Sequence, residues 1–190
     1  MPGWWEVQSS VTPLCAVLHT DQTSVAWSLG LRSLLPREMP IMGLAGMPYD
    51  MARNTACMRA LEGGFSHLFF LDSDVICPPD AVLRLAAHNL PIVSGLYCRR
   101  SPPHGVPVMI KDGQWVTQFK PGSMMEVDLV GSGCLLLSRS FLEQFPPQRP
   151  GKHWFDWRVD MQGVMPAGMC LSEDFTMCQH ARAKMGVKVW

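Results

Sequence analysis

His67-Leu68-Phe69-Phe70-Leu71-Asp72-Ser73-Asp74-Val75 is the stretch on which the reading of this chain turns. Residues 68–71 are apolar without alternation. A strand covered on both faces needs that pattern, whereas a half-exposed strand alternates. The run ends in two carboxylates two positions apart. Working backwards, 14–19 (LCAVLH) is another short apolar run and 40–44 a third. Between them, 24–35 carries Val25, Leu29, Leu31, Leu34 and Leu35 at helical spacing before Pro36 stops it. Asp50 is placed to cap a helix running to about Glu62, which Gly63 and Gly64 end. Working forwards, Pro78, Pro79 and Asp80 open a helix with Val82, Leu85 and Ala86 on one side, and 91–97 reads as a fourth strand. This alternation predicts an α/β fold with a mainly parallel central sheet and helices on both faces. Ligands of such sheets bind beyond the carboxyl ends of the strands, where Asp72 and Asp74 lie.

The second half has a different grain. Asp112-Gly113 inside 107–119 is a strong hairpin signal, so a small antiparallel hairpin is expected there. Segments 127–130 and 134–137 look like strands, separated by Gly131, Ser132 and Gly133, and 140–145 like a short helix. Segment 146–169 is rich in Pro, Gly and Trp without a period, and a loop of that length is usually functional. Ser172 is placed to cap a helix reaching about Met185, Gly186 ends it, and 187–190 starts a strand.

Composition narrows the function. The 190 residues suit one domain with a proper core, and 47% hydrophobic content excludes a disordered chain. Sixteen Lys plus Arg balance sixteen Asp plus Glu. That argues against nucleic acid as a partner, since neutralising phosphates needs a basic surplus, but it leaves room for one local diphosphate site. No apolar run approaches a bilayer span and no signal peptide is evident, so a cytoplasmic protein is expected. Seven cysteines without a CxxC pair read as reduced core thiols, and fourteen methionines as gap-fillers of the core.

Five groups of residues could carry chemistry. Asp72 and Asp74 at a strand end can offer hard oxygens to Mg²⁺ or Mn²⁺ while leaving positions for phosphate oxygens. Such a pair can also simply cap a turn. Glu173 and Asp174 fall in the first turn of a helix, whose N-terminus favours ionised carboxylates, so a base is more natural there than an acid. Acidic residues also occupy first turns for stability alone. Arg53, with Asn54, lies on the helix before the Asp72 strand and could reach phosphates, or merely face solvent; Arg99 and Arg100 are similar. Trp154, Phe155, Asp156 and Trp157 combine rings with a carboxylate, which suits sugar stacking or an aromatic loop anchor. His19, Thr20 and Asp21 follow the first strand, where a base or ribose would lie in this kind of sheet. The remaining histidines have no metal-ligand spacing.

In order, the Ala52-Arg53-Asn54 helix, FLDSDV at 70–75, VGSGCLLLSR at 130–139 and Ser172-Glu173-Asp174-Phe175 opening a helix resemble the GT-A glycosyltransferases, particularly the family 2-like enzymes of small bacterial or phage type. The resemblance covers nearly the whole chain. It implies a GT-A-like (Rossmann-like) single domain, with about 1–100 binding a nucleotide sugar, UDP-linked by default, and about 101–190 binding an acceptor hydroxyl on a carbohydrate or other molecule. It implies that Asp72 contacts the nucleotide with Ser73 beside it, and that Asp74 ligates the cation. Arg53 would lie near the base or diphosphate, and Gly131, Ser132 and Gly133 would shape the acceptor side with the Trp154, Asp156 and Trp157 loop. Asp174 would be the base that deprotonates the acceptor, with Glu173 as the runner-up, which favours inversion. The family also commonly places a metal-binding His after the last helix. Residues 187–190 hold none, so a truncated chain or completion by another chain is an expectation here, and self-association into a homo-oligomer stays open.

Three other readings stay open. A haloacid dehalogenase-type phosphatase would also use Asp72 and Asp74 after an apolar strand, but that strand should open the domain. A sugar nucleotidyltransferase would carry a Gly-rich basic loop where 19–23 reads His-Thr-Asp-Gln-Thr. A degenerate GT-A domain would bind sugar or a partner without turnover.

Overall fold

The computed structural model describes residues 11–20, 22–100, 104–146, 153–159 and 170–190. The first half contains β1 (Pro13–Leu18), α1 (Val25–Ser33), β2 (Ile41–Leu44), α2 (Tyr49–Glu62), β3 (His67–Asp72), α3 (Ala81–Ala86) and β4 (Ile92–Ser94). The second contains β5 (Met109–Lys111), β6 (Gln114–Trp115), β7 (Leu129–Val130), β8 (Cys134–Ser138), α4 (Arg139–Gln144), β9 (Arg158–Val159), β10 (Cys170–Leu171) and α5 (Glu173–Met185).

The central sheet runs β2-β1-β3-β8-β4. β1 pairs in parallel with both β2 and β3, while β8 is antiparallel to its two neighbours. The sheet is therefore mainly parallel with one inserted antiparallel strand. β3 holds the middle, and its apolar run divides cleanly between faces. Leu68 and Phe70 join Leu14, Ala16, Leu135 and Leu137 under α2, α4 and α5. Phe69 and Leu71 join Cys15, Val17 and Leu136 under Trp27 of α1 and Val82 and Leu85 of α3. Both phenylalanines are fully buried, so the unbroken hydrophobic run is what a strand with helices on each face requires.

Local signals behave largely as their chemistry dictates. Ser24 Oγ accepts from the Trp27 N–H at 3.1 Å and starts α1. Gly186 ends α5 in the left-handed region at φ 64°. Asp112 and Gly113 both take positive φ, which matches the twist of the β5–β6 hairpin. Three expectations are corrected. Asp50 does not cap α2; Pro48 holds the cap position and Asp50 lies buried in the first turn. β4 ends at Ser94 instead of continuing to Tyr97, which packs against the core beneath Phe69 and Leu71. Methionines are not all core fillers, since Met47, Met51, Met58 and Met124 are exposed.

Cys15, Cys57, Cys77, Cys98, Cys134 and Cys178 are unpaired, and all but Cys77 and Cys98 are buried. No helix among the described residues is long and apolar enough to cross a membrane.

One side chain fixes how the second half meets the first. Asn54 Oδ1 accepts the N–H groups of Trp154 and Phe155 at 3.0 and 3.1 Å. Its amide donates to the Phe155 and Asp50 carbonyls, each at 2.8 Å. Phe155 is thereby set edge-on to Phe70, ring centres 5.5 Å apart. Replacing Asn54 by Ala strands two backbone donors and an acceptor, so Asn54→Ala is expected to cost about 2–3 kcal/mol. In urea unfolding this would appear as a lower midpoint with an unchanged slope.

Candidate active site: an acidic cleft at the end of β3

Beyond the carboxyl ends of β1 and β3 lies an open cleft of about 700 Å³. Leu18, His19 and Thr20 enter from the end of β1, and Gly46, Met47, Pro48 and Tyr49 from the β2–α2 connection. Arg53 comes from α2; Asp72, Ser73 and Asp74 from the end of β3; Arg100 and Trp157 from loops; and Ser172, Glu173 and Asp174 from the start of α5. Residues a hundred positions apart meet because β3 ends and α5 begins at this rim. His19 fits there because Gly43 on the edge strand has no side chain; a Cβ would stand 3.0 Å from its Nε2.

Arg53 ties the two acidic pairs together. Its Nε donates to Glu173 Oε1 at 3.0 Å and its Nη2 reaches Asp72 Oδ1 at 3.5 Å. The guanidinium also lies over the Phe70 ring, 5.2 Å from its centre. Arg53 and Glu173 are both about 4% exposed, so the pair depends on its geometry to offset the loss of water around both charges. Arg53 Nη1 is buried without a partner. Asp74 is bound more loosely: its Oδ2 meets Arg100 Nη1 at 3.0 Å, and the Arg100 side chain is 86% exposed.

Asp174 is held in a different way. Oδ2 accepts from the Ser132 N–H at 3.1 Å and from its Oγ at 3.3 Å. Oδ1 accepts from the Phe175 N–H at 2.8 Å and from the Ser172 hydroxyl. Ser172 thus stands at the cap position without capping the helix through its side chain; its hydroxyl serves Asp174 instead. Of these four donors only Ser172 lies on the cleft lining.

The cleft brings together His19, Thr20, Arg53, Asp72, Ser73, Asp74, Trp157, Glu173 and Asp174. Asp21 lies outside the described residues. Trp154 does not reach the cleft: it is 4% exposed, stacks on His153 at 4.0 Å and donates its indole N–H to the Leu142 carbonyl. Of the two functions open to these rings, Trp154 performs the anchoring one. Asp156 is buried and does not line the cleft either. Gly131 and Gly133 do not line it as an acceptor surface; they flank Tyr97, where a Cβ would come within 2.1 Å of its Oη and 2.7 Å of its ring. Tyr97 is the residue sequence reasoning missed as part of the site. Its signal was the pair of glycines, which had no turn of positive φ to explain them.

Lining the cleft are four carboxyl groups against two guanidinium groups. Burial, outweighing Arg53 and helped by Asp174 and Asp74, raises Asp72 above its ordinary value. Burial first, and Asp174 next, push Glu173 up to about 7 despite Arg53. The expectation of an ionised first turn is therefore corrected for Glu173: loss of water outweighs the helix terminus. Among the described residues no three His, Cys, Asp or Glu side chains form a group that would hold a metal ion by themselves.

Folded Glu173 keeps its proton to a higher pH than the 4.5 of the ordinary side chain. Between there and about 7 the native state binds a proton that the unfolded chain releases, so stability should fall as pH rises through this window. Thermal unfolding across that interval should show a flatter slope in Glu173→Gln.

No family model matches this chain, and no curated protein does. Among solved structures, the crystal structure of A197 from STIV superposes with a TM-score of 0.61 at 19% identity, covering 90% of this chain and 78% of that one. At that identity the likeness concerns the fold: a mixed α/β architecture with a mainly parallel central sheet and a small antiparallel sheet.

Proposed function

We propose that this chain is a metal-dependent GT-A glycosyltransferase. It moves a sugar from a nucleoside-diphosphate sugar, UDP-linked by default, to an acceptor hydroxyl. The observation that carries this reading is the Asp72–Asp74 pair at the sheet's ligand-binding end, facing the Glu173–Asp174 pair across Arg53 in one cleft. A cleft of about 700 Å³ is of the size that takes a nucleotide-sized ligand.

The donor set fits Mn²⁺ or Mg²⁺ that arrives with a diphosphate. Mg²⁺ commonly uses one or two carboxylates and takes its other ligands from phosphates and water, and two strand-end carboxylates, with no third side-chain ligand grouped with them among the described residues, would supply that share. The cleft's surplus of carboxyl over guanidinium groups favours the cation, which when bound would neutralise charge on the leaving diphosphate. Asp72 and Asp74 would hold it. Arg100 pairs with Asp74 at an exposed position, where such a pair is weak, and is free to swing to phosphate oxygens. Tyr49 and Trp157, 58% and 47% exposed, offer ring faces to base and sugar.

Asp174 is the acceptor's base in this scheme. Of its four donors the Ser172 hydroxyl is the one at the cleft, so an incoming hydroxyl takes that place on Oδ1 and gives up its proton there as its oxygen attacks the sugar carbon. Attack from the side opposite the diphosphate gives inversion. Glu173, bonded to Arg53, fixes that guanidinium in position.

Calorimetric titration of nucleoside diphosphates with and without Mn²⁺ tests the reading. Mn²⁺-dependent binding is expected for at least one nucleotide, weakened at least about tenfold in Asp74→Ala. Binding that ignores both Mn²⁺ and the substitution would overturn it.

A further inference from the structure

The two halves of the cleft are joined by a strut that does not itself line it. The Gly133 peptide is bonded on both sides. Its carbonyl accepts the Asp72 N–H at 3.0 Å, and its own N–H donates to Tyr97 Oη at 2.9 Å. One residue earlier, Ser132 gives both its N–H and its hydroxyl to Asp174 Oδ2. Two consecutive residues thus touch the backbone of the strand-end carboxylate and the side chain of the carboxylate across the cleft. Ser132 is 1% exposed, so its bonds are not shared with solvent.

Tyr97 sets the height of this strut. Its ring and hydroxyl fill the space that side chains at Gly131 and Gly133 would need: a Cβ added at either glycine would stand only 2.1 or 2.7 Å from the tyrosine. The tyrosine hydroxyl is the acceptor for Gly133, and burial pushes its ionisation well above the ordinary value, with Asp174 adding to this. It stays a neutral hydroxyl and a fixed point. From α1, the Trp27 indole N–H holds the Asp72 carbonyl at 3.0 Å. Asp72 is therefore clamped through both backbone groups, and Asp174 is clamped to the same turn.

We infer that Ser132 and Tyr97 are positioning residues: through the Ser132–Gly133 turn they fix where Asp174 stands relative to the end of β3, and with it the distance between donor and acceptor ends of the cleft. This rests on the glycosyl-transfer reading. Neither residue needs to touch donor or acceptor. Loss of either should therefore impair the transfer step while leaving donor binding intact, which is the opposite of the acceptor-surface role the glycines first suggest.

The test uses a panel of UDP- and GDP-sugars with Mn²⁺, with release of the nucleoside diphosphate as the readout and water standing in for the acceptor. Ser132→Ala keeps the backbone donor and removes the hydroxyl; Tyr97→Phe keeps the ring and removes the acceptor for Gly133. Thermal unfolding checks that each is folded, and should Ser132→Ala fail to fold, Tyr97→Phe carries the test. The expected result is kcat lower by about ten- to a hundredfold with KM for the donor within about twofold of wild type. Unchanged kcat in the folded variants overturns the positioning role and leaves the glycosyltransferase reading standing. Raised KM with unchanged kcat also overturns it, since it would make these donor-binding residues. A wild type that binds nucleoside diphosphates yet releases none from any donor overturns the enzymatic reading and this inference with it.

Discussion

The buried guanidinium of Arg53 is the interaction on which the site depends. It reaches Glu173 at the start of α5 and Asp72 at the end of β3 from within α2. α2 and β3 are consecutive in the chain while α5 lies far beyond them, and among the described residues no backbone bond joins α5 to β3. A buried charge cannot be left unpaired without a large cost. The ion pairs therefore convert a packing arrangement into a defined one, in which the N-terminus of α5 can sit only where Glu173 meets Arg53. The cleft around it holds more carboxyl than guanidinium groups.

Adjacent residues at a helix start point about 100° apart, and α5 uses that difference. Glu173 turns inward to the guanidinium and is raised by burial. Asp174 turns to the Ser132 turn and to the cleft, where hydroxyl and peptide donors surround it. Two acids that look interchangeable in sequence thus have different surroundings. One is bonded to the buried guanidinium, and the other is held by hydroxyl and peptide donors at the cleft lining. Asn54, next to Arg53 on α2, contributes a third constraint by clamping the backbone that leads to Trp157.

Much of the architecture was legible along the chain. The apolar run at 68–71 implied a strand covered on both faces, and Phe69 and Phe70 do face opposite cores. Asp112-Gly113 implied its hairpin, and Gly186 the end of the last helix, because these residues favour the required φ values locally. The acidic pairs, Arg53 and the residues after β1 were legible as candidates because strand ends and helix starts gather at one edge of such sheets. What Trp154 and the glycines around Ser132 pack against was not legible in the sequence, for a common reason. Whether a ring or a small residue serves a ligand or a neighbour depends on what packs against it, and the partners here, Leu142 and Tyr97, are distant in sequence.

The sequence by itself determined the class of fold, the faces of its central strand and the presence of carboxylates at the carboxyl end of that strand. Those follow from periodicity and from residue chemistry acting over a few positions. Only the tertiary structure decided that β8 enters antiparallel between β3 and β4, that Glu173 is tied to Arg53 while Asp174 is not, and that Tyr97 supports the turn linking Asp72 to Asp174. Each of these is a contact between segments far apart along the chain. Its energy comes from burial and from pairing buried polar groups, and neither exists until the layers close.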